Sequence, residues 1–297
     1  KRNAVQFNAE EIENISSVFG IDKKLAALLF SRGISSENAV RSFLFPDSKN
    51  FYDPFMMKGM PEAVERITDA INNNEKIVIY GDYDADGICA NAILSLYFTS
   101  LNIDIYSHTP NRMADGYGLN NDTLEKIIER VMPDLIITCD CGISAVDEVE
   151  FVKDLGVDII VTDHHEAGET IPDCIVINPK QAGCGYPFKS LCGAGVVLKL
   201  VQALSGYETM VKYLDLCAIA TIADLVPLLD ENRLIVQLGL QKLTSTENFG
   251  LKELFESNNI YKPTASDVAF KISPRINAAG RMGDAYRAYE LLTTGNR

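Results

Sequence analysis

The sequence predicts an α/β protein, in which a mostly parallel sheet carries helices on both faces. Two observations support this class. Between residues 73 and 182, short apolar runs of strand length alternate with longer helical stretches, which is the pattern of a parallel sheet with crossover helices. On both sides of this region the apolar residues recur at helical spacing, without strand alternation. We therefore predict a helical segment over 1–72 and a domain over 73–297, divided into a sheet part (73–182) and a mainly helical part (183–297).

The amino-terminal segment is predicted to be helical and to pack on the following domain. Asn8 can cap a helix that starts near Ala9. A second helix is expected over residues 23–32, a third after Ser36, and a fourth after Pro61, a residue favoured in the first helical turn. The stretch between the last two is rich in aromatic and Met side chains, which we expect to contact the domain.

The strands and helices of the domain follow from apolar runs and their lengths. Strands are predicted at residues 77–80, 103–107, 135–138, 159–162 and 174–177, with helices at 88–101, 119–131 and 145–155 between the first four. Connection through helices makes the strands parallel. The later helices are predicted at 193–204, 208–222, 234–243, 251–256, 266–272 and 284–293.

The composition is that of an ordinary globular chain, with 297 residues, 47% of them hydrophobic and 23% charged. No apolar run approaches the roughly 18–20 residues of a membrane span, and the first residues do not resemble a signal peptide. We therefore expect a cytoplasmic protein without a membrane partner. Seven cysteines, an odd number, fit reduced core thiols better than a disulfide framework.

Acidic and imidazole side chains follow three of the predicted strands. Asp82, Asp84 and Asp86 follow the first, Asp140 follows the third, and a His pair after an Asp follows the fourth. Carboxyl ends of parallel strands meet at one edge of a sheet, where ligands bind. Three close carboxylates repel one another unless a cation neutralises them. An acidic surface turn is the alternative for the first cluster alone, since turns favour Asp and Gly.

The composition of this set predicts two divalent ions. The pair is His164 and His165, and a further carboxylate, Asp224, ends an apolar helix before Pro227, where it either points into the site or lies at the surface. Carboxylates with imidazole suit Mn²⁺ or Mg²⁺. A shared carboxylate between two ions is the arrangement used for in-line displacement at phosphorus. Gly193 and Gly195 indicate either a phosphate cradle at a helix start or tight helix packing.

Four segments resemble the motifs of the DHH phosphoesterase superfamily. They are residues 81–87 (GDYDADG), 138–143 (TCDCGI) and 161–166 (VTDHHE), together with Asp224 in its IADLV context. Residues 53–55, 115–119, 191–195 and 273–282 are also similar to segments of a single-strand-specific 5′→3′ exonuclease of that superfamily. The resemblance covers nearly the whole chain, in the same order.

The resemblance implies roles for particular residues. The metal ligands would be Asp84, Asp86, Asp140, His164 and Asp224, with Asp140 as the bridge and Asp82 as a further ligand or a neighbour of one. Phosphate would be bound by His165, Arg275, Asn277, Arg281 and Arg112; ordinary surface solvation is the alternative for the arginines. Longer relatives continue into substrate-binding domains, which we expect to be absent from this chain.

The resemblance also implies hydrolysis of single-stranded DNA from the 5′ end, with release of 5′-mononucleotides, in DNA repair and recombination. A helicase and a single-strand-binding protein are the partner proteins considered. A net charge of −14 argues against an extended DNA-binding surface, although bound cations would offset the metal cluster. Two alternatives remain: a phosphodiesterase of short oligoribonucleotides or small nucleotides, and a non-catalytic, replication-associated nucleic-acid-binding relative.

Overall fold

All five predicted strands are present in a single parallel sheet. The computed structural model describes residues 8–45, 47, 50–110, 116 and 118–295. The strands are β1 (Ile77–Gly81), β2 (Ile105–His108), β3 (Leu135–Cys139), β4 (Asp158–Thr162) and β5 (Ile175–Ile177). They pair in the order β2-β1-β3-β4-β5. The α/β class with a parallel sheet is confirmed.

Helices surround this sheet and fill the rest of the described chain. Those before and within the sheet part are α1 (Ala9–Phe19), α2 (Lys23–Ser31), α3 (Glu37–Leu44), α4 (Met60–Asn72), α5 (Ala85–Ser100), α6 (Asn121–Val131) and α7 (Val146–Asp154). Those after it are α8 (Gly193–Ser205), α9 (Tyr207–Met210), α10 (Leu214–Ala223), α11 (Asp230–Leu243), α12 (Phe249–Ser257), α13 (Ala265–Asp267), α14 (Ser273–Arg281) and α15 (Ala285–Thr293). None of the helices in the described ranges is long and apolar enough to cross a bilayer.

The strand β1 is buried on both faces because alternate side chains enter two different cores. Ile77 and Ile79 belong to the larger core, which includes α4, α5, α8 and α10. Val78 and Tyr80 belong to a smaller core that includes α6 and α7. Helix α5 lies between the sheet and the helical part, which explains why its sequence is apolar on nearly every side.

A fully buried ion pair joins the segment before α4 to the helical part. The ammonium of Lys199 lies 3.0 Å from Oε1 of Glu231 and donates to the main-chain carbonyl of Tyr52 at 2.6 Å. The same carboxylate accepts bonds from the main-chain N–H of Tyr52 and from the hydroxyl of Tyr186. Each charge therefore has several partners, as burial of an ion pair requires. The division into segments 1–72, 73–182 and 183–297 stays a prediction.

The largest difference from the predicted elements is α14. The sequence predicts a helix that ends at Ile272, whereas the structure continues from a π-helical turn (Val268–Ile272) into α14. Pro274 lies in the first turn of α14, where its missing N–H costs nothing. The helix predicted over 208–222 is likewise divided into α9, a 3₁₀ turn (Val211–Tyr213) and α10. Local periodicity does not reveal such changes of winding.

Candidate metal centre

The loop after β1 places two of its three carboxylates by local hydrogen bonds. Asp84 caps α5, because its Oδ1 accepts the N–H groups of Asp86 at 2.9 Å and Gly87 at 3.0 Å. Asp82 accepts the N–H of Tyr83 at 2.8 Å. A Cβ atom on Gly87 would overlap Asp82, so only glycine allows the loop to fold this tightly. Asp82 and Asp86 are buried, whereas Asp84 is partly exposed.

The start of α8 holds Asp86. Its Oδ2 accepts the N–H of Gly193 at 2.7 Å, and its Oδ1 accepts the N–H of Ala194 at 2.8 Å. The first N–H groups of a helix have no partner within the helix and favour an anion. The predicted phosphate cradle at Gly193 is thus occupied by a carboxylate of the chain itself, which fixes the direction of Asp86.

Asp140 has a strained backbone and a buried side chain without a hydrogen-bond donor. Its φ is +66°, a left-handed conformation that is unusual for a residue other than glycine. Its N–H donates to the carbonyl of Thr162, which fixes the turn after β3 on β4. The Oδ1 atom has no hydrogen-bond partner. A Cβ atom on Gly193 would overlap this side chain, so α8 approaches Asp140 as closely as a glycine permits.

The ring of His164 faces three carboxylates. Its Nε2 lies 3.1 Å from Oδ1 of Asp140 and 3.7 Å from one oxygen each of Asp86 and Asp224. Burial is the largest cause that lowers the pKa of His164 to about 4, so the ring is neutral. Oδ1 of Asp140 has no hydrogen-bond partner, although Nε2 lies only 3.1 Å away. A cation bound by both atoms would satisfy this pair.

The second histidine is oriented by a carboxylate that the sequence did not single out as a site residue. Asp163 accepts the N–H groups of His164 and His165 through Oδ1, at 2.7 and 3.1 Å, and the N–H of Ile143 through Oδ2. The same Oδ1 lies 2.8 Å from Nδ1 of His165. This hydrogen bond raises the pKa of His165. His165 is half-exposed and in contact with the ring of His164, with centroids 4.4 Å apart.

Asp224 completes the centre from the opposite side. It ends α10, and burial together with the charge of Asp84 raises its pKa to about 6. The residue after it, Leu225, also has a positive φ, so the chain reverses at once and leaves the carboxylate beside His164. The sequence left two possibilities for Asp224, a place in the site or a place at the surface. Its position beside His164 favours the site.

Ligand atoms of the described residues fall into three groups in which all atoms lie within 4.8 Å of one another. The groups are Asp82 with Asp84 and Asp140, Asp86 with His164 and Asp224, and Asp140 with His164 and His165. The first two would suit one ion each. Asp140 belongs to the first group and lies 3.1 Å from His164 of the second, so it would be placed between the two ions. Oxygen donors with one imidazole match Mn²⁺ or Mg²⁺. The residues present therefore fit two divalent ions.

The predicted phosphate-binding residues are placed less uniformly. Asn277 lies at the loop after β1, where its Oδ1 accepts the N–H of Ala85 at 2.8 Å. Helix α14 packs so closely against this loop that a Cβ atom on Gly280 would overlap the carbonyl oxygen of Tyr83. Arg275 and Arg281 are exposed, and Arg275 donates to the carbonyl of Lys271. Arg112 lies outside the described residues, as do residues 115 and 117 of segment 115–119. The phosphate-binding roles stay predictions.

The crowded carboxylates predict an unusual pH dependence of stability in the metal-free protein. Burial raises the pKa of Asp82 to about 7 and also raises that of Asp86 and Asp140. A carboxyl group with a raised pKa keeps its proton in the native state at pH values where the unfolded state has already released it, near pH 4. The contribution of this proton to the free energy of unfolding is lost as the pH rises towards 7. Two groups with a lowered pKa act in the opposite direction: His164, whose pKa falls to about 4, between about pH 4 and 6.5, and Asp163 only below about pH 4.

We expect the melting temperature in EDTA to fall by about 5 °C or more between pH 5 and pH 8, measured by circular dichroism. Saturating Mn²⁺ should remove this fall, because the ions bind the ionised carboxylates. A metal-free melting temperature that stays constant or rises over this range would contradict the proposed crowding.

Comparison with known proteins agrees with this geometry. A parallel sheet that gathers carboxylates and a His pair at its carboxyl edge defines an α/β domain with a candidate divalent-metal centre. Residues 76–221 match the family model described as "DHH family, N-terminal domain". The chain belongs to the DHH family.

Within the family, this chain is similar to single-stranded-DNA-specific exonuclease RecJ. It is 46% identical to RecJ from Bacillus subtilis over 286 residues, which cover 95% of this chain and 36% of the relative. The crystal structure of RecJ with Mn²⁺ from Thermus thermophilus is similar with a TM-score of 0.82 and 32% identity, over 97% of this chain and 41% of that one. The crystal structure of the same protein with Mg²⁺ is similar with a TM-score of 0.72 and 29% identity, over 97% of this chain and 38% of that one. The chain spans only about a third to a half of the curated RecJ relatives.

Proposed function

We propose that this chain is the catalytic part of a nuclease that hydrolyses single-stranded DNA from the 5′ end and releases 5′-mononucleotides. The observation that carries the proposal is the pair of adjacent ligand groups, one with Asp140 and the other with the neutral ring of His164, whose facing atoms lie 3.1 Å apart. Two bound Mn²⁺ or Mg²⁺ ions would activate a water molecule and stabilise charge at phosphorus. The relatives named for this activity match the chain over most of its length.

The residues of the chain would divide the work around that centre. Asp82, Asp84, Asp86, Asp140 and Asp224 would hold the ions together with His164. The hydrogen bond that Nδ1–H of His165 donates to Asp163 favours the protonated form of His165 and leaves its Nε2–H to donate to a phosphate oxygen. Because His165 is half-exposed, a strand can reach it without a change in the fold.

The biological setting is proposed on the same basis. A single-strand-specific nuclease fits DNA repair and recombination, in the cytoplasm. It would act after a helicase that separates the strands and beside a single-strand-binding protein that covers them. The acidic net charge supports weak intrinsic affinity of this chain for DNA, since phosphate binding depends on Lys and Arg.

The decisive experiment is digestion of a 5′-phosphorylated, single-stranded oligodeoxynucleotide, with Mn²⁺, Mg²⁺ or EDTA present. We expect 5′-mononucleotides with either ion and no cleavage in EDTA. Four further substrates serve as comparisons: the same strand labelled at its 3′ end, its duplex, an oligoribonucleotide and a dinucleotide. Faster cleavage of the dinucleotide or the RNA would favour the small-substrate alternative. Binding of two ions without any cleavage would contradict the proposal and favour a non-catalytic relative.

A further inference from the structure

One lysine outside the predicted site is linked to the segment that carries His165 by two separate contacts. Lys180 follows β5 at the carboxyl edge of the sheet, where its N–H donates to Oδ1 of Asn178 at 2.8 Å. The amide of the same Asn178, which is fully buried, donates to the carbonyl of His165 at 2.9 Å. The main chain of Lys180 is therefore fixed relative to His165 by two hydrogen bonds through one rigid side chain.

The side chain of Lys180 returns to the same segment. Its ammonium lies 3.0 Å from Oε1 of Glu166, the residue directly after His165. The lysine side chain is only 24% exposed, whereas the glutamate is 85% exposed. An ion pair with one partner so fully in water contributes little to stability and opens at small cost. Glu166 therefore keeps the ammonium at the residue that follows His165, in an ion pair that opens easily.

Lys180 is also better shielded from solvent than the two arginines of α14. Its side chain is partly buried, whereas Arg275 and Arg281 are exposed.

The charge balance of the centre calls for such a cation. Six carboxylates lie in or directly behind it: Asp82, Asp84, Asp86, Asp140, Asp163 and Asp224. Two divalent ions supply only four positive charges, so an arriving phosphate meets a centre that is still negative. A lysine provides a compact charge with three donors, suited to a phosphate oxygen.

We propose that Lys180 binds the strand phosphate next to His165, and that its ammonium exchanges Glu166 for a phosphate oxygen when single-stranded DNA enters. This inference rests on the proposed function and adds a residue to the same site. It makes Glu166 a competitor of the substrate for one cation. The two halves of the ion pair must then have opposite effects on DNA binding.

The test compares K180M with E166Q in steady-state cleavage of the 5′-phosphorylated oligonucleotide with Mn²⁺. We expect K180M to raise KM about 10-fold, which is the typical contribution of a hydrogen bond to a charged group. E166Q should lower KM by about twofold, as expected when a weak competing ion pair is removed. K180M should also reduce the slope of log KM against log salt concentration by about 0.7, the value for one phosphate contact on a single strand.

K189M is the matched control, since Lys189 is an exposed lysine that bonds only the carbonyl of Cys184 among its described contacts. A purely structural ion pair would make K180M and E166Q change KM in the same direction, and that result would overturn the inference. If K180M does not fold, as judged by circular dichroism, E166Q alone decides by the sign of its effect. If the wild-type chain cleaves no DNA, the proposed function fails, and fluorescence anisotropy with the same oligonucleotide measures the two opposite shifts directly.

Discussion

Replacement of Asp140 with asparagine is expected to reduce Mn²⁺-dependent cleavage of single-stranded DNA by about 10³-fold or more, the scale on which loss of one group that stabilises transition-state charge is felt. Asp140 lies in the ligand group of one ion and 3.1 Å from the histidine of the other. Loss of its charge should therefore weaken both ions. Asparagine has the same shape and tolerates the positive φ of 66°.

The fold should survive this change, because a buried carboxylate among other carboxylates is removed. We expect the metal-free D140N variant to melt at or above the wild-type temperature at pH 8. Metal content by mass spectrometry should fall from two ions to one or none. D215N is the matched control: Asp215 is also buried, but its partners are Thr246 and the N–H of Leu216. Full activity of D140N would exclude a bridging role for Asp140.

Substitution of Gly193 by alanine is expected to weaken Mn²⁺ binding by about 10- to 100-fold, the usual cost of disturbing a group that orients a metal ligand. A Cβ atom at this position would overlap Asp140, and the N–H of Gly193 orients Asp86. The methyl group therefore has to displace one ligand or the other. Isothermal titration with Mn²⁺ measures the loss.

Alanine in place of glycine normally stabilises a helix by about 0.5–1 kcal/mol, so a loss here cannot come from helix propensity. G185A is the control, because a Cβ atom on Gly185 meets nothing nearer than a carbonyl at 3.7 Å. Unchanged Mn²⁺ affinity in G193A would show that α8 can move away from the centre. Equal losses in both variants would indicate a general effect of glycine replacement.

The sheet and the gathering of ligands could be predicted because both depend on local sequence. An apolar run such as Ile77–Gly81 is too short for a buried helix and is apolar on both faces, so it forms an interior strand. Parallel pairing then brings the residues after β1, β3 and β4 to one edge without further information. The position of Asp224 could not be predicted from strand pairing, because this residue ends a helix. Its place in the site was predicted from the resemblance to the DHH motifs.

Contacts between distant parts of the chain could not be predicted in the same way. Asp86 is held by N–H groups that lie 107 and 108 residues later, and no periodicity records that pairing. The role of Asp163 was missed because three of its bonds run to backbone N–H groups, which every residue offers, and because its contact with the ring of His165 depends on how the chain turns after β4. Lys180 was missed because a single lysine after a short strand has no distinctive pattern.

The buried network around Lys199 has a consequence for synthesis of the chain. Tyr52 closes that network with Glu231, which is 179 residues later in the sequence. A ribosome adds about 5–20 residues per second, so roughly ten seconds or more separate the two residues during translation. By then the strands from β1 to β5 have all emerged. The segment around Tyr52 is therefore made before the whole sheet, yet this network cannot fix it until Glu231 has been added.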